Sequence, residues 1–386
     1  MNLKKLPLGS VKKGTRILMR VDLNVPIHGG KVSRGALPRL KAVAPEIIEL
    51  TKRGARVILA THLGRPDGRK VTSLSTHHLA RPMASLVGQG ILTSHDIAGP
   101  DARKISHEMQ PGRIFLTENL RFDPREEKNA RSFAKELALL GDIYVNDAFS
   151  VSHRKHASVC AITKYLPSYA GELLNEEVTQ LEKSLAHPFV LVLGGVKLET
   201  KMGFLQSLGR EADSILIGGG IGVVLEAIRS DRLKLAEHLK PTSQELRAGK
   251  KILRSLSNKL ILPSDVILKS DGKASNVHEL TMGDVIVDIG PKSQRAFQKI
   301  IESSASAVWN GPMGMLEDSR ARLGTQAILR ALVHAKGRTI AGGGDTLQML
   351  DETGLGKKLS FVSTGGGAML AFLAGEPMPG LKPLIK

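Results

Sequence analysis

The chain has 386 residues, 41% of them hydrophobic and 24% charged, one cysteine at position 160, and a formal charge of +18. Its length calls for roughly two domains of ordinary size, and its composition excludes a disordered chain. A lone cysteine excludes an intramolecular disulfide and a cysteine-rich metal site, and apolar runs under about ten residues fall short of the ~20 that span a bilayer.

The N-terminus, MNLKKLPLGSVKKG, is basic but lacks the apolar segment of a signal peptide, so the expected location is cytoplasmic, with no membrane contact. Lys and Arg are scattered, with short clusters at Lys12-Lys13, Lys250-Lys251 and Lys357-Lys358. Aromatic residues make up only 3% of the chain, which argues against a surface that stacks single-stranded bases. Charge alone supplies no sequence readout, and no dedicated nucleic-acid partner is expected.

In chain order, RILMRVDLNV (16–25) reads as a strand. A helix follows behind Pro38, with Leu40, Val43, Ile47 and Ile48 at helical spacing and Gly54 as its stop. Strand ARVILATH (55–62), a helix with Leu79, Met83 and Leu86, strand RIFLTENL (113–120), helix SFAKELALL (132–140) and strand DIYVNDAF (142–149) continue the alternation. Such a βαβ series predicts a parallel sheet with helices on its faces.

Residues 171–186 read as one helix with an apolar stripe of Leu173, Leu174, Val178, Leu181 and Leu185, the expected bridge between a domain over 1–170 and another over 187–374. In the second series FVLVLGG, SILIGGG, KLILPSDVIL, DVIVDIG, SAVWNGP, RTIAGGG and SFVSTGG are the expected strands. The last dozen residues hold Pro377, Pro379, Gly380 and Pro383, so the tail 375–386 should be irregular and pack back on the first half. The expected fold class is α/β, with two Rossmann-like domains joined by a helix and facing across a cleft.

Four strand ends of the second half open onto glycine: at Gly194-Gly195 followed by Lys197, at Gly218-Gly219-Gly220, at Gly342 to Thr346 (GGGDT), and at Gly365-Gly366-Gly367. Glycine lets backbone N–H groups approach a ligand, and a helix N-terminus favours an anion, so these loops suit phosphates. Asp345 is placed to reach a hard cation such as Mg²⁺ riding on a phosphate; an N-cap after a glycine turn is the plainer reading of that stretch.

In the first half, Asp22 and Asn24 follow the first strand, His62 and Arg65 the second, Arg121 the third and Arg154 the fourth, while Arg39 opens the first helix. Singly each arginine reads as a surface residue. Together they suit a small polyanion, because guanidinium forks bind phosphate and carboxylate bidentately. No G-x-x-x-x-G-K-[ST] or H-R-D with D-F-G occurs, and the first strand leads into VDLNVPIHGG rather than G-x-G-x-x-G.

RVDLNVP, PRLKA, THLGRPDG, ENLRF, LGGVKLETK, IGGGI, DIGPKS, WNGPMGMLE, AGGGDT and STGGGA run in this order from residue 20 to 367. In them the chain resembles the phosphoglycerate kinase family. The resemblance implies a monomeric two-domain kinase whose N-terminal domain binds 3-phosphoglycerate or 1,3-bisphosphoglycerate and whose C-terminal domain binds Mg-ATP or Mg-ADP. It assigns the acid to Asp22, Asn24, Arg39, His62, Arg65, Arg121 and Arg154, with Leu23, Leu63 and Gly64 beside them. Arg39 and Lys197 would meet the transferring phosphoryl, near backbone donors at Gly366 and Gly367. Lys201 would bind nucleotide phosphates, Asn310 and Glu317 the nucleotide, with Glu317 on the ribose, and Asp345 the Mg²⁺, with Gly343, Gly344 and Thr346 beside it. The chain departs from the family pattern at Thr200, where an aspartate is usual, and at Ser150-Val151-Ser152, Ile221-Gly222, Met369 and Ala371. Thr200 and Ala371 bear on the contacts of domain closure.

Overall fold

The computed structural model describes residues 1–33, 37–232, 235–236 and 239–386; the side chains of Thr200 and Asp345 lie outside that description. The chain divides into two compact units, one of Met1–Glu182 with Glu376–Lys386 and one of Lys183–Gly375.

The first unit is built on a six-stranded sheet in the order Ile91–Thr93, Ile114–Leu116, Arg56–Ala60, Arg16–Val21, Ile143–Asp147, Ser168–Ala170. Every neighbouring pair is parallel. Successive side chains of a strand face opposite ways, and the core follows that alternation. Ile17, Met19 and Val21 pack with Leu40, Val43, Ile47 and Leu50 of the helix Leu37–Lys52. Leu18, Ile58 and Phe115 pack with Phe133 and Leu137 of the helix Arg131–Ala138. Burial on both faces explains why these strands read as continuous apolar runs. The two edge strands of three residues carry too little pattern to be seen in the sequence.

The tail returns to this unit: Leu3 bridges Ile385, Lys4 N donates to Leu384 O at 2.7 Å, and Leu381 and Leu384 are fully buried. The helix expected over 171–186 stops at Leu181, so Leu185 is not part of its stripe. Beyond it the chain turns away, and the carbonyl of Lys183 accepts from Arg338 Nη1 at 2.7 Å.

The second unit carries a parallel six-stranded sheet in the order Leu260–Ile261, Ser214–Ile217, Phe189–Leu193, Ser306–Asn310, Arg338–Gly342, Phe361–Ser363. Numbered along the chain this is 3-2-1-4-5-6, the order of nucleotide-binding sheets, in which ligands sit at the carboxyl ends of the strands. Phe297, Ile301, Ile328, Leu332, Met349 and Leu350 from three helices cover one face over Trp309 and Val192.

Two expected strands prove different. KLILPSDVIL breaks at Leu262-Pro263-Ser264 into Leu260–Ile261 and Asp265–Leu268, and the second piece leaves the parallel sheet. Asp265–Leu268 pairs antiparallel with both Ala274–Asn276 and Ile286–Ile289 in a separate small sheet, so DVIVDIG is not a strand of the parallel sheet either. Proline lacks the N–H a central strand needs. Asp265 then caps the next helix from a distance, taking Ser293 N at 2.8 Å and Lys292 N at 3.0 Å.

Candidate functional site

In the first unit the expected binding residues sit just beyond the carboxyl ends of the strands. Asp22 is buried; its carboxylate accepts Asn24 N at 3.0 Å and Ser150 Oγ at 2.5 Å, and lies 3.5 Å from Arg39 Nη1. Arg39 Nη1 also donates to Asn24 O at 2.7 Å, and Asn24 Oδ1 accepts Gly64 N at 2.9 Å. Leu23 N is fixed by Thr61 Oγ1 at 3.0 Å, and Leu63 by Asn119, which accepts from its N–H and donates to its carbonyl. The first three loops are thus tied to one another.

His62 is buried, with Nδ1 3.0 Å from Arg20 Nη2. A guanidinium has only donors, which assigns Nδ1 as the acceptor and leaves the imidazole proton on Nε2. Burial, then the charges of Arg20, Arg121 and Arg154, hold His62 well below the usual imidazole range. Arg121 is 5% exposed, donates from Nη1 to Gly64 O at 2.7 Å and pairs through Nε with Glu127 at 3.0 Å. Burial lowers Arg121 and Arg154, and Arg154 further lowers Arg121 as Arg65 lowers Arg154. Guanidinium remains charged through such shifts. Arg121, Arg154 and His62 therefore lie within electrostatic reach of one another, and Arg65 within reach of Arg154, a cluster of donors suited to a compact polyanion.

Sequence reasoning missed what stands behind this cluster. Arg20, 1% exposed, donates from Nε to Ser158 Oγ at 3.1 Å, and that hydroxyl donates to Glu126 at 2.6 Å. The available signal was an arginine inside the apolar run RILMRV, since a buried charge requires a partner.

In the second unit the four glycine junctions follow two pairs of adjacent parallel strands, with Ser306–Asn310 between the pairs. Gly343 has φ +121 and caps the helix Gly344–Thr353, a conformation side-chain-bearing residues rarely adopt. Gly366 begins the helix Gly366–Leu373, and a Cβ there would lie 2.4 Å from Gly343 Cα, so this loop and GGGDT meet backbone to backbone. Asn310 is buried between them: its Nδ2 donates to Gly342 O at 2.8 Å, and its Oδ1 accepts Lys201 Nζ. Thr346 Oγ1 accepts Gly311 N at 3.2 Å. Around Gly344 and Gly367 there is open space. Lys197 is exposed on the loop after Phe189–Leu193, and the Asp345 side chain lies outside the described residues.

Next to these loops opens a cavity of about 370 Å³, lined by Gly195, Gly219, Val223, Leu239, Met313 and Leu316 among others, with Glu317 on its wall. Its apolar lining suits a flat heterocycle. The glycines were legible in the sequence; the apolar residues come from distant elements and were not.

Among the described residues no three His, Cys, Asp or Glu side chains are grouped to hold a metal, and no helix is long and apolar enough to cross a membrane.

A family model described as phosphoglycerate kinase matches residues 10–376. The phosphoglycerate kinase of Thermomicrobium roseum is 39% identical over 380 residues, and that of Moorella thermoacetica 38% over 381, each alignment covering 96% of both chains. Among solved structures, phosphoglycerate kinase from Pyrococcus horikoshii matches with a TM-score of 0.88 at 28% identity over 98% of both chains. That from Coxiella burnetii matches with a TM-score of 0.75 at 32% identity over 97% of both. With its two parallel sheets, its cationic cluster and its glycine loops, the chain belongs to the phosphoglycerate kinase family.

Proposed function

We propose that the chain catalyses reversible phosphoryl transfer between 1,3-bisphosphoglycerate and ADP, giving 3-phosphoglycerate and ATP, in the cytoplasm and as a monomer. Residues 1–170 with the tail hold the acid, and residues 187–374 hold the Mg-nucleotide. In the first domain Arg65, Arg121, Arg154 and the Nε2–H of His62 bind the phosphate that does not react, and Asp22 and Asn24 orient the glycerate hydroxyl. Arg39 and Lys197 meet the transferring phosphoryl after domain closure, and Gly366 and Gly367 offer it backbone N–H groups.

Phosphoryl transfer asks little covalent work of the protein; it needs in-line alignment and fixed positive charge around the equatorial oxygens. Lys201 and Asn310 hold nucleotide phosphates, Glu317 the ribose, and the apolar cavity the base. A Mg²⁺ that arrives on the nucleotide would neutralise its phosphate oxygens. Asp345 is the residue to hold it, with Thr346, Gly343 and Gly344 beside it; Mg²⁺ held through one carboxylate and substrate phosphates needs no all-protein cage.

The observation that carries this reading is the cationic cluster: guanidinium groups fixed by carbonyls and carboxylates so that their remaining donors are ordered. A coupled assay following ATP formation from ADP and 1,3-bisphosphoglycerate tests it. Purified, Mg-replete chain should turn over; no ATP above the uncatalysed control sinks the proposal.

A further inference from the structure

We propose that Arg322 is a positioning residue that clasps the loop bearing Glu317 to the helix Gly344–Thr353, and so sets the span between the ribose end and the phosphate end of the nucleotide site. The inference rests on the nucleotide-binding reading above.

Arg322 lines the cavity and reaches two elements at once. Its Nε donates to Leu316 O at 2.6 Å, the carbonyl next to Glu317 in the chain. Its Nη1 donates to Glu352 Oε2 at 2.8 Å, in the last turn of the helix that begins at Gly344 and carries Thr346. Gln348, one turn earlier and also on the cavity wall, donates to the other Glu352 oxygen at 2.9 Å. A guanidinium fork makes both bonds from separate nitrogens in one rigid plane; an ammonium, a single nitrogen on a flexible stem, holds the two elements less firmly.

The backbone of Arg322 is itself held. It caps the helix Leu323–His334, and Gly324 N donates at 2.6 Å to Asp288 Oδ2, a carboxyl 2% exposed whose other oxygen takes Ile289 N at 2.8 Å. A Cβ on Gly324 would lie 2.2 Å from Asp288, so the two are in direct contact. From Asp288 through Gly324 to Arg322, and from there to Leu316 and Glu352, the cavity floor is linked to both ends of the ligand site. The side chains of Arg322 and Glu352 are 26% and 37% exposed, so the pair contributes geometry more than stability.

A ligand held at two ends gains from a fixed separation, because the second contact forms at a high effective concentration. Loosening the clasp should leave each end able to bind its own fragment and weaken only the joined molecule. The test is calorimetric titration of ADP, adenosine and pyrophosphate, with Mg²⁺, into the wild-type chain, Arg322→Gln and Glu352→Gln. Glu352 is not part of the cavity lining, so its effect cannot come from touching the ligand.

The expected result is a rise in Kd for ADP of about three- to tenfold in both variants, with adenosine and pyrophosphate within about twofold of wild type. KM for 3-phosphoglycerate and Tm should hold, and Arg322→Lys should fall between wild type and Arg322→Gln. Unchanged ADP affinity in Glu352→Gln, or a matching loss for either fragment, would overturn the clasp. So would an equal loss for 3-phosphoglycerate. A wild-type chain that binds ADP but makes no ATP would overturn the proposed reaction and leave this inference testable by the same titrations.

Discussion

Arg20 directs a donor at His62 Nδ1, which favours the neutral imidazole and places its proton on Nε2, the N–H that the proposed function gives to the ligand. Burial is the larger cause of the depressed basicity, and the neighbouring guanidinium groups add to it. The folded chain thus refuses a proton that the unfolded chain accepts below about pH 6.5. His62 contributes stability that is complete above that pH and lost as pH falls, at up to about 1.4 kcal/mol per pH unit. In denaturant titrations, His62→Asn should reduce the fall in stability below pH 6.5 relative to wild type; parallel curves would mean that His62 takes its proton inside the fold. At this scale the sequence was legible where a residue stands at a strand end, as Asn24, Arg121 and Arg154 do. It was not legible for Ser158 and Glu126, which matter only because the fold carries them to Arg20. Ser150 shows the same limit: as a departure from the family pattern it was visible, but its bond to Asp22 was not.

Strand-to-glycine-to-helix junctions, whose signal is local, were read correctly, while the helix expected over 171–186 ran too long and pairing set by a distant partner was not legible. A strand that stops at glycine and reopens as a helix is written in consecutive residues, as in Arg338–Gly342 followed by Gly344–Thr353. Whether Ile286–Ile289 pairs parallel or antiparallel depends on Asp265–Leu268, and nothing in either short apolar run decides it. The same strand carries a testable group, Asp288, one residue before its end. Burial pushes the Asp288 carboxyl up to about 7 against the pull of the N–H groups of Gly324 and Ile289. Between about pH 4 and 7 the unfolded chain has released this proton while the folded chain keeps it, so stability from this group falls as pH rises through that window. Above pH 7 both forms are ionised and the loss levels off. Asp288→Asn removes the titration, so its stability difference from wild type should shift by up to about 1.4 kcal/mol per pH unit over that window, in favour of the variant as pH rises. A difference that stays flat from pH 4 to 7 would show that Asp288 is ionised throughout.

For the whole molecule, the proposed division of labour rests on what each unit gathers at its strand ends. The first unit gathers cations beyond the carboxyl ends of its strands, and the second offers glycine N–H groups and an apolar cavity; neither set alone suits both of the proposed ligands. In the proposed mechanism, transfer requires one group from each unit to act on the same phosphoryl. Arg39, oriented by Asp22 and the carbonyl of Asn24, is the candidate from the first, and Lys197, on the loop after Phe189–Leu193, is the candidate from the second. Charge on the equatorial oxygens is fully arranged only in the transition state, so interactions with it should appear in kcat rather than in KM. Arg39→Ala and Lys197→Ala should each lower kcat by about 10²- to 10⁴-fold, roughly 3 to 5 kcal/mol, with KM for both substrates changed far less. If the two groups share one phosphoryl, neither acts fully without the other, and the double variant should lose less than the product of the single losses. A raised KM with kcat preserved would reduce either residue to ordinary substrate binding. Strict multiplicativity in the double variant would mean that Arg39 and Lys197 act on separate groups, and the shared-phosphoryl mechanism would fail for this pair while the substrate assignments of the two units stood.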